Sequence, residues 1–249
     1  MEIAMNNQMI VSKTEALSAR RALLEKEKAF TRQRDELALA RRTLPWVRVE
    51  RDYVFETSAG QKTLTELFAG RSQLIVQHFM FAPEWTEGCV GCSFTADHVN
   101  GALPHIQARD ASFVAVSRAP LEVLQLFKNR MGWKFDWVSS AANDFNYDFD
   151  VSFRKKDISA RRSFYNYRAL DFEIEDLSGF SVFLKGAEST IFHTYSTFAR
   201  GDEMLCTAYM YIDLLPKGRD EDSLGDDPTS WWRHHDQYGA PVKASCCCS

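Results

Sequence analysis

A near-continuous apolar run spans Gln73 to Phe81, broken at Gln77 and His78, and leads through residues 82–88 into Cys89-Val90-Gly91-Cys92. That combination constrains the fold more than any other part of the chain. A run this apolar suits a strand buried on both faces in the middle of a sheet. It is too short for the ~20 residues that cross a bilayer. Directly after it, Cys92 to Ala108 reads as a helix, with breaks expected near Gly101 and Pro104. The two thiols therefore lie where a central strand hands over to a helix.

The flanking sequence repeats this alternation. Tyr53 to Thr57, Ser112 to Ser117 and Trp137 to Ser139 read as strands. Thr63 to Phe68 and Pro120 to Arg130 read as helices, the second with proline near its first turn. Phe180 to Lys185 and Thr190 to Tyr195 pair as a hairpin, and Glu203 to Leu214 forms a last helix. The pattern predicts an α/β sandwich around a central mixed sheet over residues 44–215, with residues 141–175 as an insertion on one edge.

Two flanking regions differ in character. From Lys13 to Arg42 there is no proline or glycine, and Ala16, Leu23, Phe30 and Leu37 recur every seven residues. This predicts a helical arm over residues 13–43 that packs on its own domain or on a second subunit. Arg20, Glu27, Arg34 and Arg41 occupy the positions a symmetrical two-helix zipper would fill with apolar residues. Residues 216–249 are charged and turn-rich, as expected of an irregular tail.

The 34 acidic against 30 basic side chains give a formal charge of -4, which argues against a nucleic-acid partner held by a general basic surface. The first residues carry neither a charged start nor an apolar secretory core, so a cytosolic location is expected and no membrane partner. Six cysteines sit at 89, 92, 206, 246, 247 and 248, which is not the even scatter of a disulfide framework.

At the start of a helix, backbone N–H groups favour an anion and raise the thiolate fraction of the first cysteine. A second thiol one turn on can attack a mixed disulfide formed by the first. Cys89 is thus the expected nucleophile and Cys92 the resolving residue. The same pair is also half of a metal site, but zinc usually needs two further ligands; only His98 and His105 lie nearby in sequence. No organic cofactor is implied. Three readings stand: a thiol–disulfide oxidoreductase acting on a small thiol, a peroxide or a protein disulfide; a metal-binding or carrier module; and a redox-silent interaction protein on the same scaffold.

Residues 79–92 resemble an expanded form of the thioredoxin strand–loop–CxxC–helix. Leu44-Pro45-Trp46-Val47-Arg48-Val49, Ala115-Val116-Ser117-Arg118-Ala119-Pro120-Leu121-Glu122, Asp144-Phe145-Asn146-Tyr147-Asp148-Phe149 and residues 192–201 (FHTYSTFARG) resemble, more narrowly, the thioredoxin-like family catalogued as domain of unknown function 899. Trp231-Trp232-Arg233-His234-His235-Asp236 fits the same family, so the resemblance runs from about Lys13 to Tyr238. It implies a thioredoxin-like fold. Departures from ordinary thioredoxins are Gly88 where tryptophan precedes the first cysteine, Val-Gly between the cysteines, and no proline in Ser178-Gly179-Phe180-Ser181.

Thioredoxins keep a buried acid near the resolving thiol, and the resemblance suggests His78 for that work; a core histidine bonded to its neighbours is the competing reading. Glu84 and Trp85 are expected on the rim of the active-site loop, in contact with substrate. Alternation puts His193 and Tyr195 on one face, with Arg200 close by, as a second substrate-binding group. Asp144, Asp148 and Asp150 are candidates for a cation cluster or a plain edge segment. Cys206 reads as buried and inert, and Cys246-Cys247-Cys248 as a tail without defined function.

Overall fold

The computed structural model describes residues 9–171 and 173–239. Cys246, Cys247 and Cys248 lie outside the described residues. Contacts divide the chain into two units, Met1–Pro45 and Trp46–Ser249.

The first unit is helix α1 (Lys13–Arg42). Ser12 caps it by accepting from the Glu15 N–H, while the Glu15 carboxylate accepts from the Ser12 N–H at 3.0 Å. Arg41 and Arg42 occupy the last turn, where the helix dipole favours cations. None of its residues is buried, and Leu23 and Phe30 are exposed.

In the second unit the strands are β1 (Val47–Arg48), β2 (Val54–Thr57), β3 (Gly60–Thr63), β4 (Gln73–His78), β5 (Ala111–Ser117) and β6 (Asp136–Ser139). A small ribbon follows, β7 (Phe164–Tyr165) and β8 (Arg168–Ala169), and then the hairpin β9 (Gly179–Lys185) and β10 (Ile191–Phe198). The helices are α2 (Leu64–Leu67), α3 (Val90–Ala96), α4 (Val99–Gln107), α5 (Leu121–Arg130), α6 (Phe145–Asp148), α7 (Lys155–Ser159) and α8 (Thr207–Ile212).

Among the described residues the main sheet has the order β1-β10-β9-β4-β5-β6-β2-β3. β4 runs parallel to β5 and antiparallel to β9, and β9 pairs antiparallel with β10. The segment β10-β9-β4-β5, with the thiol motif following β4, is the thioredoxin arrangement. β4 is central because its side chains satisfy both faces. Leu74 and Val76 pack with Val114, Val116, Phe145 and Phe183 on one side. Ile75 packs with Phe113, Ala115, Trp137 and Cys92 on the other.

The insertion holds α6, α7 and the β7–β8 ribbon, and builds its own cluster from Val151, Phe153, Tyr165 and Leu170 against Phe198. Arg118 fixes it to the sheet, its Nε donating to buried Asp176 at 2.8 Å.

Two helices differ from expectation. The break after the thiols falls at Asp97–His98, not at Gly101 or Pro104, which both lie within α4. Side chains fix the corner: Asp97 accepts from the Trp133 indole at 2.8 Å, and His98 Nε2 accepts from the Ala208 N–H at 3.0 Å. The expected helix from Glu203 to Leu214 is a 3-10 segment (Ala199–Leu205) and then α8, parted at Cys206, whose side chain packs with Phe94 and Tyr209.

Leu74 has no exposed surface. Leu74→Ala should therefore cost about 2–5 kcal/mol in urea unfolding. Leu17→Ala, at an exposed position of α1, should fall within about 0.5 kcal/mol of the parent protein.

Candidate functional site

The chain leaves β4 at His78, and two residues later Met80 meets both cysteines. Its carbonyl accepts from the Cys89 N–H at 3.1 Å, and its N–H donates to Cys92 Sγ at 3.4 Å. One residue just past the strand end thus holds both ends of the motif. Cys89 caps α3: its Sγ accepts from the Cys92 N–H at 3.4 Å, and its carbonyl accepts from the Ser93 hydroxyl at 2.8 Å. Both cysteines are free thiols, Cys89 half-buried and Cys92 buried.

These surroundings separate the two sulfurs. The Cys92 thiol, and then the N–H groups of Cys92 and Gly91, hydrogen-bond to Cys89 and bring its pKa down to about 7, against the opposing effect of burial. Burial, and then the hydrogen bond to Cys89 and the charge of Cys89, push Cys92 well up. One thiol is poised to be a thiolate near neutral pH, and the other stays protonated.

Two polar residues absent from the sequence expectations complete the setting. Gln77, buried, donates from Nε2 to the Cys92 carbonyl at 3.1 Å, while its Oε1 has no hydrogen-bond partner. Asp202, in the 3-10 segment before Cys206, has its carboxyl pushed up to about 7 by burial. It lies close enough for its charge to raise both Cys89 and Cys92. Strict alternation along β4 is the signal that identifies Gln77; no spacing in the sequence brings Asp202 to the thiols.

His78 takes the other face. It stacks on Phe145, hydrogen-bonds through Nδ1 to Asn146 Oδ1 at 3.1 Å and through Nε2 to Ser181 Oγ at 2.8 Å. Burial lowers its pKa to about 4, so it is a neutral core histidine across the sheet from the thiols. Trp85 packs on the same apolar cluster as Cys89, and Glu84 is exposed on the loop.

His193, Tyr195 and Arg200 do not form one group. A bulge between His193 and Tyr195 shifts the β10 register, so alternation no longer places the pair. His193 Nε2 meets Ser196 Oγ at 2.7 Å, while exposed Arg200 pairs with Glu203 at 3.0 Å. Asp144 and Asp148 bind Arg51 at 2.9 and 2.6 Å, so these carboxylates already have a cation of the chain itself. Among the described residues no three His, Cys, Asp or Glu side chains converge to hold a metal ion.

Among the described residues the tail has only short 3-10 helices, and it reaches the motif. Trp232 stacks on Phe94 at 4.9 Å, and buried His234 meets the Gly88 carbonyl through Nε2 at 2.9 Å. His235 meets Asp97 at 2.6 Å, and Arg130 bridges Asp236 and Glu87. Close packing explains Gly91 within the motif and Gly88 just before it. A Cβ on Gly91 would stand 2.9 Å from the Trp232 ring, and one on Gly88 2.7 Å from Phe79.

The sequence matches the family described as "Bacterial protein of unknown function (DUF899)" over residues 5–238. Among curated proteins no relative matches it. Similar solved structures include the peroxidoxin BcpB of Mycobacterium tuberculosis, at 12% identity, 68% of this chain, 97% of that chain and a TM-score of 0.44. The bacterioferritin comigratory protein of Xanthomonas campestris has 16% identity over 62% of this chain and 88% of that one, with a TM-score of 0.42. The mitochondrial 2-Cys peroxiredoxin of Plasmodium falciparum has 13% identity over 69% and 94%, with a TM-score of 0.41.

Gly91→Ala should destabilise the protein by about 1–3 kcal/mol, because the added methyl meets the Trp232 ring. In a Trp232→Ala background the same change should cost clearly less, a non-additivity read by urea unfolding of the four proteins.

Proposed function

Because the chain belongs to the bacterial family of unknown function DUF899, whose name fixes no reaction, we propose its function from the site itself: a thiol–disulfide oxidoreductase in which Cys89 attacks and Cys92 resolves. The observation that carries this reading is the inequality of the two thiols. Cys89 is half-buried and titrates near neutral pH, while Cys92 is buried, raised and one helical turn away.

With a disulfide substrate, the Cys89 thiolate attacks one sulfur, forms a mixed disulfide and expels the other as a thiolate. Cys92 then loses its proton and attacks Cys89 Sγ, releasing the second substrate thiolate. The substrate gains two electrons, and the protein ends with a Cys89–Cys92 disulfide. With a peroxide, the Cys89 thiolate takes the terminal oxygen to give a sulfenic acid and an alcohol, and Cys92 condenses with it to release water. An external thiol donor restores the dithiol in either case, and no organic cofactor is required.

Asp202 is the proposed acceptor of the Cys92 proton. Its carboxyl titrates near 7 and its charge reaches both thiols. It therefore changes protonation in the range where the resolving thiol must lose its proton. Glu84 and Trp85, on the loop beside Cys89, are the proposed contacts of the incoming substrate. A metal-carrier role has less support, since no third ligand accompanies the cysteines among the described residues.

Exposure to a model disulfide followed by mass spectrometry tests the assignment. Cys92→Ser should accumulate a mixed disulfide on Cys89, and Cys89→Ser should accumulate none and lose turnover. Adducts on Cys92 in place of Cys89 reverse the roles, and turnover that survives both substitutions ends the thiol mechanism. Asp202→Asn should slow formation of the internal disulfide, by about tenfold or more for loss of a general base, and leave the first attack on Cys89 as fast or faster, because a charge opposing the thiolate is removed.

A further inference from the structure

On the sheet face opposite the thiols lies a cavity of about 490 Å³. That is within the roughly 300–1,000 Å³ of small-molecule sites. Its walls are mainly apolar and aromatic, with Val47, Phe149, Phe164 and Phe198 among them. At its floor a buried polar chain ends: Asn146 to His78, His78 to Ser181, Ser181 to Ser196 at 2.8 Å, and Ser196 to His193 at 2.7 Å. Burial keeps His193 below its usual range, so the floor carries no imidazolium charge at neutral pH.

The charges around the opening do not cancel. Arg51 is bound by Asp144 and Asp148, and Arg48 pairs with Glu50 at 3.5 Å. Asp148 also accepts from the Tyr53 hydroxyl at 2.8 Å. Asp150 is left over: among the described residues its carboxylate has no ion pair or hydrogen bond.

Three lining residues have a left-handed backbone, which only Tyr167 resists. Asp150 has a φ of 55° just past the end of α6, a position that favours glycine or asparagine. Asn166 and Tyr167, with φ of 49° and 63°, form the two-residue turn between β7 and β8. Asparagine suits the first position of such a turn, and glycine is strongly preferred at the second. A bulky side chain there is a true outlier, and strain of this kind gathers at ligand sites. Tyr167 is anchored through its hydroxyl to the Ser196 carbonyl at 2.7 Å and meets Phe198 edge to face, yet the residue stays 67% exposed beside the opening.

We propose that this cavity binds a small organic monocation, an amine carried on an aromatic or aliphatic body, with the ammonium group at Asp150 and the body against Tyr167, Phe149 and Phe198. An unpaired carboxylate beside aromatic faces recognises a cation through both charge and the ring quadrupoles. The site is separate from the thiols and does not depend on the redox reading.

Calorimetric titration of the full-length protein with phenethylammonium, 2-phenylethanol and 3-phenylpropionate tests it. The ammonium compound should bind one per chain, at least about tenfold tighter than the alcohol or the acid. Asp150→Asn, whose new residue tolerates the same backbone, should bring the ammonium compound to the affinity of the alcohol and leave Cys89 labelling unchanged. Tyr167→Gly, which relieves the turn and keeps the fold, should weaken the ammonium compound and the alcohol together. Equal affinity for all three compounds, no binding of any, or a charge preference that survives Asp150→Asn overturns the proposal.

Discussion

The backbone of Met80 is the point on which the site depends. It follows a strand whose side chains are buried on both faces, so its position is set by two apolar clusters at once. It then holds Cys89 through its carbonyl and Cys92 through its N–H. A close-packed core transmits position with little slack, and the sulfurs inherit that precision. The difference between them follows. The cysteine at the helix cap collects the Cys92 thiol and N–H donors, while burial raises the one inside the turn more than the Met80 N–H lowers it.

Around this clamp the chain closes from a distance in sequence. Gly88 and Gly91 leave room that Phe79 and Trp232 fill, and His234 secures the Gly88 carbonyl from far along the chain. The two sheet faces carry different work. One holds the thiols, Gln77 and helices α3 to α5. The other holds His78, the polar chain to His193 and the cavity near Asp150.

What the sequence makes legible is what local chemistry decides. An apolar run marks β4, and the spacing of Cys89 and Cys92 marks one helical turn. Pro45 follows the end of α1, and Pro120 opens α5. What escapes is set by distant partners. His78 and Gln77 are neighbours, and only the strand register says that Gln77 shares the face of the thiols. The helix corner falls at Asp97 because Trp133 and Ala208 meet it there, which overrides the local weakness of Gly101 and Pro104. Asp202 and Trp232 reach the motif through segments with no repetitive pattern. The β10 bulge separates His193 from Tyr195 where simple alternation joins them.

The central claim is that the fold makes Cys89, and not Cys92, a thiolate near neutral pH. Thiolate absorbance of the reduced protein, followed against pH in the parent and in Cys92→Ser and Cys89→Ser, tests it directly. The account predicts a first midpoint near 7 in the parent, where the lowered Cys89 gains its charge as pH rises. It also predicts that Cys89→Ser removes this midpoint, and that Cys92→Ser moves it upward, since the Cys92 thiol is the largest contributor to the lowered value. A parent protein whose first midpoint stands at the ~8.5 of a free thiol, or a low midpoint that survives Cys89→Ser, contradicts it.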